Sequence, residues 1–324
     1  MRASKGAKAT KKTAAATKTS ATNKATKRAS PLRERAPAPE VRLSSPTKII
    51  FPDRNITKQQ VFDYYQAVMP RLLQEIGGRP LSIIRCPQGA AKACFFQKHH
   101  TAGLDIVRFV RLKEEGGINA NYLVADDAAG VLELVQFNAL EFHPWGAHAD
   151  DPDHADRVIF DLDPGPNVPF SEVKRAATHV RDLLQQLGLR SFLRTTGGKG
   201  LHVVVPLKPG NKWPLVKKFT KAFAESLAGA DPDRYLATAT LKLRPGKIFV
   251  DYLRNSRGAT AVASYSLRAR AGAPVAVPLA WSELSALKRG DAFDIESTLA
   301  RLKRQRKDPW AGIDTIEQDL SAWE

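Results

Sequence analysis

The sequence predicts an α+β fold in which a mainly antiparallel β module precedes a split βαβ sheet. Three observations lead there. Val158, Ile159 and Phe160 form a run apolar on both faces, as in the middle of a sheet, and it leads into Asp161-Leu162-Asp163 before Pro164-Gly165 breaks the element. An amphipathic helix follows, then a strand at 191–196, a turn Gly197-Gly198-Lys199-Gly200 and an apolar strand at 201–207. Upstream, short β-like runs at 81–85, 106–112 and 122–124 are separated by turn residues.

At 324 residues with 43% apolar content, the chain is long enough to bury one large domain or two small ones. The net charge of +17 is spread along the chain: residues 1–40 hold eleven Lys and Arg against Glu34 and Glu40, and the remainder is basic too. A polyanionic partner is expected. Cys86 and Cys94 are the only cysteines, which disfavours a structural zinc and demands no oxidising compartment. No apolar run approaches membrane-spanning length and no signal segment is visible, so a cytoplasmic protein is expected.

Residues 1–40 are rich in Ala, Lys, Thr and Ser and bury nothing, so they are expected to be a disordered basic tail that adds non-specific nucleic-acid affinity. The alternative is a solubilising tail. Residues 41–324 are expected to fold, with 41–150 as an N-terminal module and 151–324 as the half carrying the acidic strand ends. Thr57 and Gln60 read as a capping box for a helix whose face is Val61, Tyr64, Tyr65, Val68, Leu72 and Ile76, stopped by Gly77-Gly78. Phe95-Phe96 precedes Lys98, His99 and His100: one Phe is expected in the core, and the other is either core or a stacking platform for bases. Phe170-Ser171 is expected to cap a helix through Val173, Ala176, Ala177, Val180, Leu183, Leu184 and Leu187, with Gly188 just past its end. Further helices are expected at 214–227 and 291–306, and a second acid-terminated strand at 248–252, with a β-like stretch before Arg268 and Arg270.

Strand side chains alternate faces, so Asp161 and Asp163 project on one side. Two like charges so close are tolerated around a divalent cation, and carboxylate oxygens suit Mg²⁺ or Mn²⁺. Alone, Asp-x-Asp followed by Pro-Gly is also ordinary turn chemistry or the start of an aspartyl-phosphatase pattern. Asp251 ends the other apolar strand, and three carboxylates around one or two divalent ions are the parts needed for phosphoryl transfer. Thr195-Thr196-Gly197-Gly198-Lys199-Gly200 departs from a P-loop but offers N–H donors suited to phosphate, or a plain hairpin turn. His202 lies on the next strand, and Arg244, Lys247 and Arg254 flank Asp251 as phosphate-neutralising cations or as ion-pair partners.

The stretches VIFDLDPG, TTGGKGLHV, GKIFVDYLRNSRGATAVASYSLRARAGAPV, FFQKHH and HPWG, in that combination, resemble the archaeo-eukaryotic primase-polymerase superfamily. More narrowly, they resemble the polymerase domain of bacterial DNA ligase D, over roughly residues 43–323. The resemblance implies a primase-polymerase catalytic core, an RRM-like split βαβ sheet with flanking helices. It implies metal binding by Asp161, Asp163 and Asp251, and nucleotide contacts from Thr196, Lys199 and His202, with His143, Arg244, Arg254, Arg268 and Arg270 lining the same site. Thr196 stands where the family usually has Ser. Phe95 and Phe96 match aromatics that pack on template bases. Lys48 and Lys58 match the lysines of a pocket for a DNA 5′-phosphate, in which Ser45 replaces an Asn. Two divalent ions (Mn²⁺ or Mg²⁺), NTP or dNTP substrates, gapped or broken DNA, the Ku protein and a separate DNA ligase are implied, with a stand-alone monomeric enzyme of the bacterial nucleoid as the expectation. The competing reading is a non-catalytic basic DNA-binding protein on the same fold, but such a protein has no need of clustered carboxylates facing DNA.

Overall fold

The computed structural model describes residues 40–114 and 116–323. The expected basic tail, residues 1–40, lies outside the described residues but for Glu40. The described residues form one compact unit.

The chain opens with strands β1 (Ile49–Phe51) and β2 (Ile56–Thr57), paired antiparallel, and helix α1 (Lys58–Ile76). Thr57 caps α1 with Gln60 in the expected capping box, and Tyr64 and Tyr65 are buried with the rest of the apolar face. Strands β3 (Leu81–Arg85), β4 (Phe95–Gln97), β5 (Arg108–Lys113) and β6 (Asn119–Val124) follow, then α2 (Ala128–Gln136) and β7 (Ala139–Pro144). They make an antiparallel sheet of order β4-β3-β6-β5, with β7 also on β3. This is the antiparallel module expected upstream.

The second sheet begins with β8 (His154–Pro164). It continues through α3 (Phe170–Gln186), β9 (Phe192–Thr195), β10 (Leu201–Lys212), α4 (Trp213–Ala230), β11 (Tyr235–Leu236), β12 (Ile248–Asp251) and β13 (Pro278–Leu279); α5 (Ile295–Arg304) comes last. Its order is β11-β12-β8-β10-β9-β13. Strand β10 runs antiparallel to both β8 and β9 and separates them, so β8-α3-β9 is the split unit that the sequence predicts. Phe160, Leu162, Val203 and Val205 belong to the main core with Val173, Val180 and Val216 of α3 and α4. On the opposite face, Ile159, Phe192 and Val204 make a smaller cluster covered by Ala261 and Trp310.

Three expectations need correction, and one covalent link was not foreseen. Phe95 and Phe96 are both exposed, at 46% and 55%, because β4 is a short edge strand with no layer over it. Helix α3 starts at Phe170 behind Pro169, with no side-chain cap; Ser171 lies inside it and Leu187, past its end, is exposed. The stretch before Arg268 is no strand: it is a series of turns tied by isolated bridges, Trp145 to Thr260 and Leu267 to Val275. Cys86 and Cys94 form a disulfide, since the β3–β4 pairing of Arg85 with Phe95 brings the two ends of the connecting loop together.

Candidate functional site

Antiparallel register builds the site. Asp251 of β12 pairs with Asp161 of β8, Asp161 with His202 of β10, and His202 with Arg194 of β9. Directly paired residues share a face, so these four side chains form one row across the sheet, with Cα atoms of neighbours about 4.5–5.5 Å apart. Asp163 follows two residues along β8 on the same face. The turn beyond must come very close: a Cβ on Gly200 would collide with the Leu162 carbonyl, and one on Gly165 with that of Arg244. Only glycine permits either approach.

Above the row lies a cavity of about 310 Å³ lined by His143, Asp161, Asp163, Thr196, Lys199, His202, Arg244, Arg254, Arg268 and Arg270. Ten residues singled out in the sequence, from five separate stretches, therefore meet in one place. Asp251 is not part of this lining; it lies beside Asp161 on the neighbouring strand, 5% exposed, with its carboxylate 3.2 Å from Arg254 Nε, a residue that does line the cavity. The other end of Arg254 lies 3.8 Å from Asp161, and Arg244, stacked 4.3 Å from the Phe249 ring, lies 3.8 Å from Asp163. Burial, then the charges of Asp161 and Asp251, pushes the Asp163 carboxyl up to about 6. Burial also raises Asp251, with Asp161 adding to it. Asp161 moves the other way: against its burial, His202, then Arg254 and Arg268, hold its carboxyl below the usual range.

Asp161 Oδ1 is buried without a hydrogen-bond partner, and three carboxylates are the donor type that Mg²⁺ or Mn²⁺ takes. The residues fit such an ion in chemistry and position on the sheet. Among the described residues, no three His, Cys, Asp or Glu side chains are gathered closely enough to hold one as they stand, so coordination requires side-chain rotation away from Arg244 and Arg254.

Glu141 organises the far wall. Its Oε2 accepts from Arg268 Nε at 2.8 Å and lies 2.9 Å from His143 Nε2, while its Oε1 accepts from the Ala269 N–H. Burial alone would raise this carboxyl, but His143 and Arg268 hold it down at about 2. Arg268 also donates to the Thr196 carbonyl. The Thr196 hydroxyl is engaged within the glycine turn, accepting from Gly198 N–H and donating to the Gly200 carbonyl. Lys199 is exposed at the cavity.

Other expected residues lie apart. Phe96 is 6.2 Å from the ring of His143, which lines the cavity, whereas Phe95, its neighbour on the strand, has Arg85 stacked on it at 5.3 Å. Lys58 is 4% exposed and donates to the Gln136 carbonyl and side chain; Lys48 donates to the Pro87 carbonyl. Burial, then Lys48, lowers the Lys58 ammonium to about 8. Lys247, which lies in the same stretch as Asp251 and is open from sequence to either a phosphate or an ion-pair role, donates to the Pro232 carbonyl and is not part of the cavity lining.

Three residues escaped the sequence reading. Glu75 and Arg194 are buried and bonded to each other behind His202, and Asn255 clasps the Ile159 backbone through both N–H and C=O. A signal existed for two of them: Glu75 interrupts the apolar face Leu72–Ile76, and Arg194 sits inside a buried strand.

A family model described as LigD, primase-polymerase domain, matches residues 57–310. The multifunctional non-homologous end joining protein LigD of Pseudomonas aeruginosa is 38% identical over 300 residues, covering 91% of this chain and 35% of that one. The bifunctional LigD of Bacillus subtilis is 30% identical over 268 residues, covering 82% and 43%. The solved polymerase domain of Mycobacterium tuberculosis ligase D, in complex with DNA, superposes with a TM-score of 0.78 at 32% identity, covering 86% of this chain and 99% of that one. The chain thus spans well under half the length of these full-length relatives, and all of the polymerase domain. On sequence and structure together, the chain belongs to the LigD primase-polymerase domain family.

Proposed function

We propose that the protein is a DNA-dependent nucleotidyltransferase that adds NTPs or dNTPs to primer 3′ ends at gaps and broken ends, in non-homologous end joining. The observation that carries this reading is the register pairing of Asp251 with Asp161 beneath a cavity walled by Lys199, Arg244, Arg254, Arg268 and Arg270. An acidic floor under a cationic wall suits a triphosphate whose reacting phosphorus faces the carboxylates. Two divalent ions, Mn²⁺ or Mg²⁺, held by Asp161, Asp163 and Asp251 would neutralise charge on the transferred phosphoryl group and pyrophosphate. The chain's own groups supply the rest. The arginines and Lys199 take the non-reacting phosphate oxygens, and the glycine turn offers N–H groups to the same end. Glu141 keeps Arg268 and His143 in place for this.

DNA is the proposed macromolecular substrate. Phe95 and Phe96 would stack on unpaired template bases; the exposure of both, and the closeness of Phe96 to His143, support this. Lys48 and Lys58 would hold a 5′-phosphate. In support, among the described residues neither makes an ion pair, and burying an unpaired ammonium is costly unless an anion arrives. Residues 41–150 would thus serve the DNA, apart from Glu141 and His143 at the cavity wall, and 151–324 the nucleotide. No described helix is long and apolar enough to cross a membrane. A cytoplasmic, nucleoid-associated protein working with Ku and a DNA ligase activity completes the proposal.

The test is extension of a primer across a gapped duplex with a 5′-phosphorylated downstream strand, comparing NTP with dNTP and Mn²⁺ with Mg²⁺. Extension that disappears in Asp163→Ala while duplex binding persists supports the reading. No extension by the parent under any of these conditions would overturn it.

A further inference from the structure

The polar row across the sheet does not stop at His202. Arg194, its neighbour on β9, is fully buried, and its Nη2 lies 2.9 Å from His202 Nδ1. A guanidinium has five N–H donors and no acceptor, so the nitrogen it meets must offer a lone pair. His202 Nδ1 therefore carries no proton. The single proton of a neutral imidazole is left on Nε2, the nitrogen that faces Asp161 at 3.4 Å, both residues being part of the cavity lining.

Arg194 is itself held from several sides. Glu75 Oε1, on the last turn of α1, accepts from its Nη1, and the Trp310 ring lies 5.4 Å from its guanidinium carbon. Glu75 in turn is fixed by the Ser264 N–H, which donates to Oε2 at 2.9 Å, and by Arg157 Nη1 at 3.2 Å. All of these groups are buried, and a guanidinium locked this way has no freedom to let the imidazole turn over. We propose that Arg194, oriented by Glu75, is a positioning residue that holds His202 as the Nε2–H tautomer, so that it presents a neutral hydrogen-bond donor to an anionic oxygen at the cavity floor. The role of that donor towards a nucleotide phosphate rests on the proposed function; the tautomer does not.

The plainer alternative is that Glu75 and Arg194 only pin α1 to the sheet. It predicts lost stability on substitution and no particular proton position on His202, which the experiment separates. Long-range ¹H–¹⁵N spectra of the full chain, with the His202 signals assigned by their loss in His202→Asn, report which ring nitrogen is protonated. The parent is expected to show the Nε2–H pattern, Arg194→Met a mixture of tautomers, and Arg194→Lys, still a donor, the parent pattern. A Nδ1–H pattern in the parent overturns the proposal, and this holds even if Arg194→Met does not fold. An unchanged Nε2–H pattern in a folded Arg194→Met also overturns it. In primer extension, Arg194→Met is expected to raise the nucleotide KM about tenfold with a smaller change in kcat, because the lost interaction is made in the bound ground state as well. A shifted tautomer with an unchanged KM would overturn the nucleotide role. A parent with the Nε2–H pattern but no extension activity would instead overturn the proposed function and leave the tautomer standing.

Discussion

Lys58 carries its charge under strain. Burial and the charge of Lys48 bring its ammonium down to about 8, so it is half neutral just above physiological pH. A bound phosphate dianion would favour the charged form and lift that value. Affinity for a 5′-phosphorylated end is therefore expected to fall as pH rises from 7 to 9, and affinity for a 5′-hydroxyl end to stay nearly flat; fluorescence anisotropy across that range checks it. Asp163 presents the opposite sign. Its native carboxyl is raised to about 6 from an ordinary 3.8, so between these values the folded state binds more protons than the unfolded one. Stability from this group accordingly falls as pH climbs through that window and stays lower above it. Asp163→Asn is expected to abolish extension while raising the metal-free Tm at neutral pH by about 2 °C or more, discounted for the carboxylate's partial exposure. A lowered Tm would contradict mutual repulsion among the three acids. Asp161, Asp163 and Asp251 were legible because each acid ends an apolar run. The role of Lys247 stayed open because sequence proximity to Asp251 does not say which way a long side chain runs.

At the scale of the element, α1 and the glycine turns are specified most locally. The reciprocal bonds of Thr57 and Gln60 satisfy two backbone donors at the start of α1. Thr57→Ala is expected to cost about 1 kcal/mol, read from urea denaturation, with little effect on turnover. Gly200→Ala forces a methyl into the Leu162 carbonyl and should separate β10 from β8 where Asp161 and His202 meet, so activity is expected to fall far more than stability. Equal losses in the two would place the damage in the core instead. Helices α1 and α4 could be read because their apolar spacing is local. The fate of Phe95 and Phe96 could not, because exposure depends on whether another layer covers β4. The Cys86–Cys94 bridge was equally invisible, since it follows from hairpin pairing rather than from the spacing of two cysteines.

Over the whole molecule, long-range order decides function. The polar row across the sheet joins residues 161, 194, 202 and 251, and Glu75 reaches into it from the other sheet's flanking helix. No local pattern gives that strand order; the resemblance to a known family supplied it, and the register then fixed which side chains face one another. The basic N-terminal segment acts at the same scale. With eleven Lys and Arg in residues 1–40, its deletion is expected to weaken DNA binding and flatten the dependence of log K on log salt by up to about 0.9 for each phosphate no longer neutralised, leaving turnover at saturating DNA unchanged. An unchanged slope would make it a solubilising segment only.

Asp251 is held to act with Asp161 and Asp163 although it lies far from them in the chain, and on this the proposed activity depends. Single-turnover extension of a gapped, 5′-phosphorylated duplex in Mn²⁺ measures it directly. Asp251→Ala is expected to slow nucleotide addition by roughly a thousandfold or more while binding the duplex as tightly as the parent. Addition at the parent's rate would contradict it.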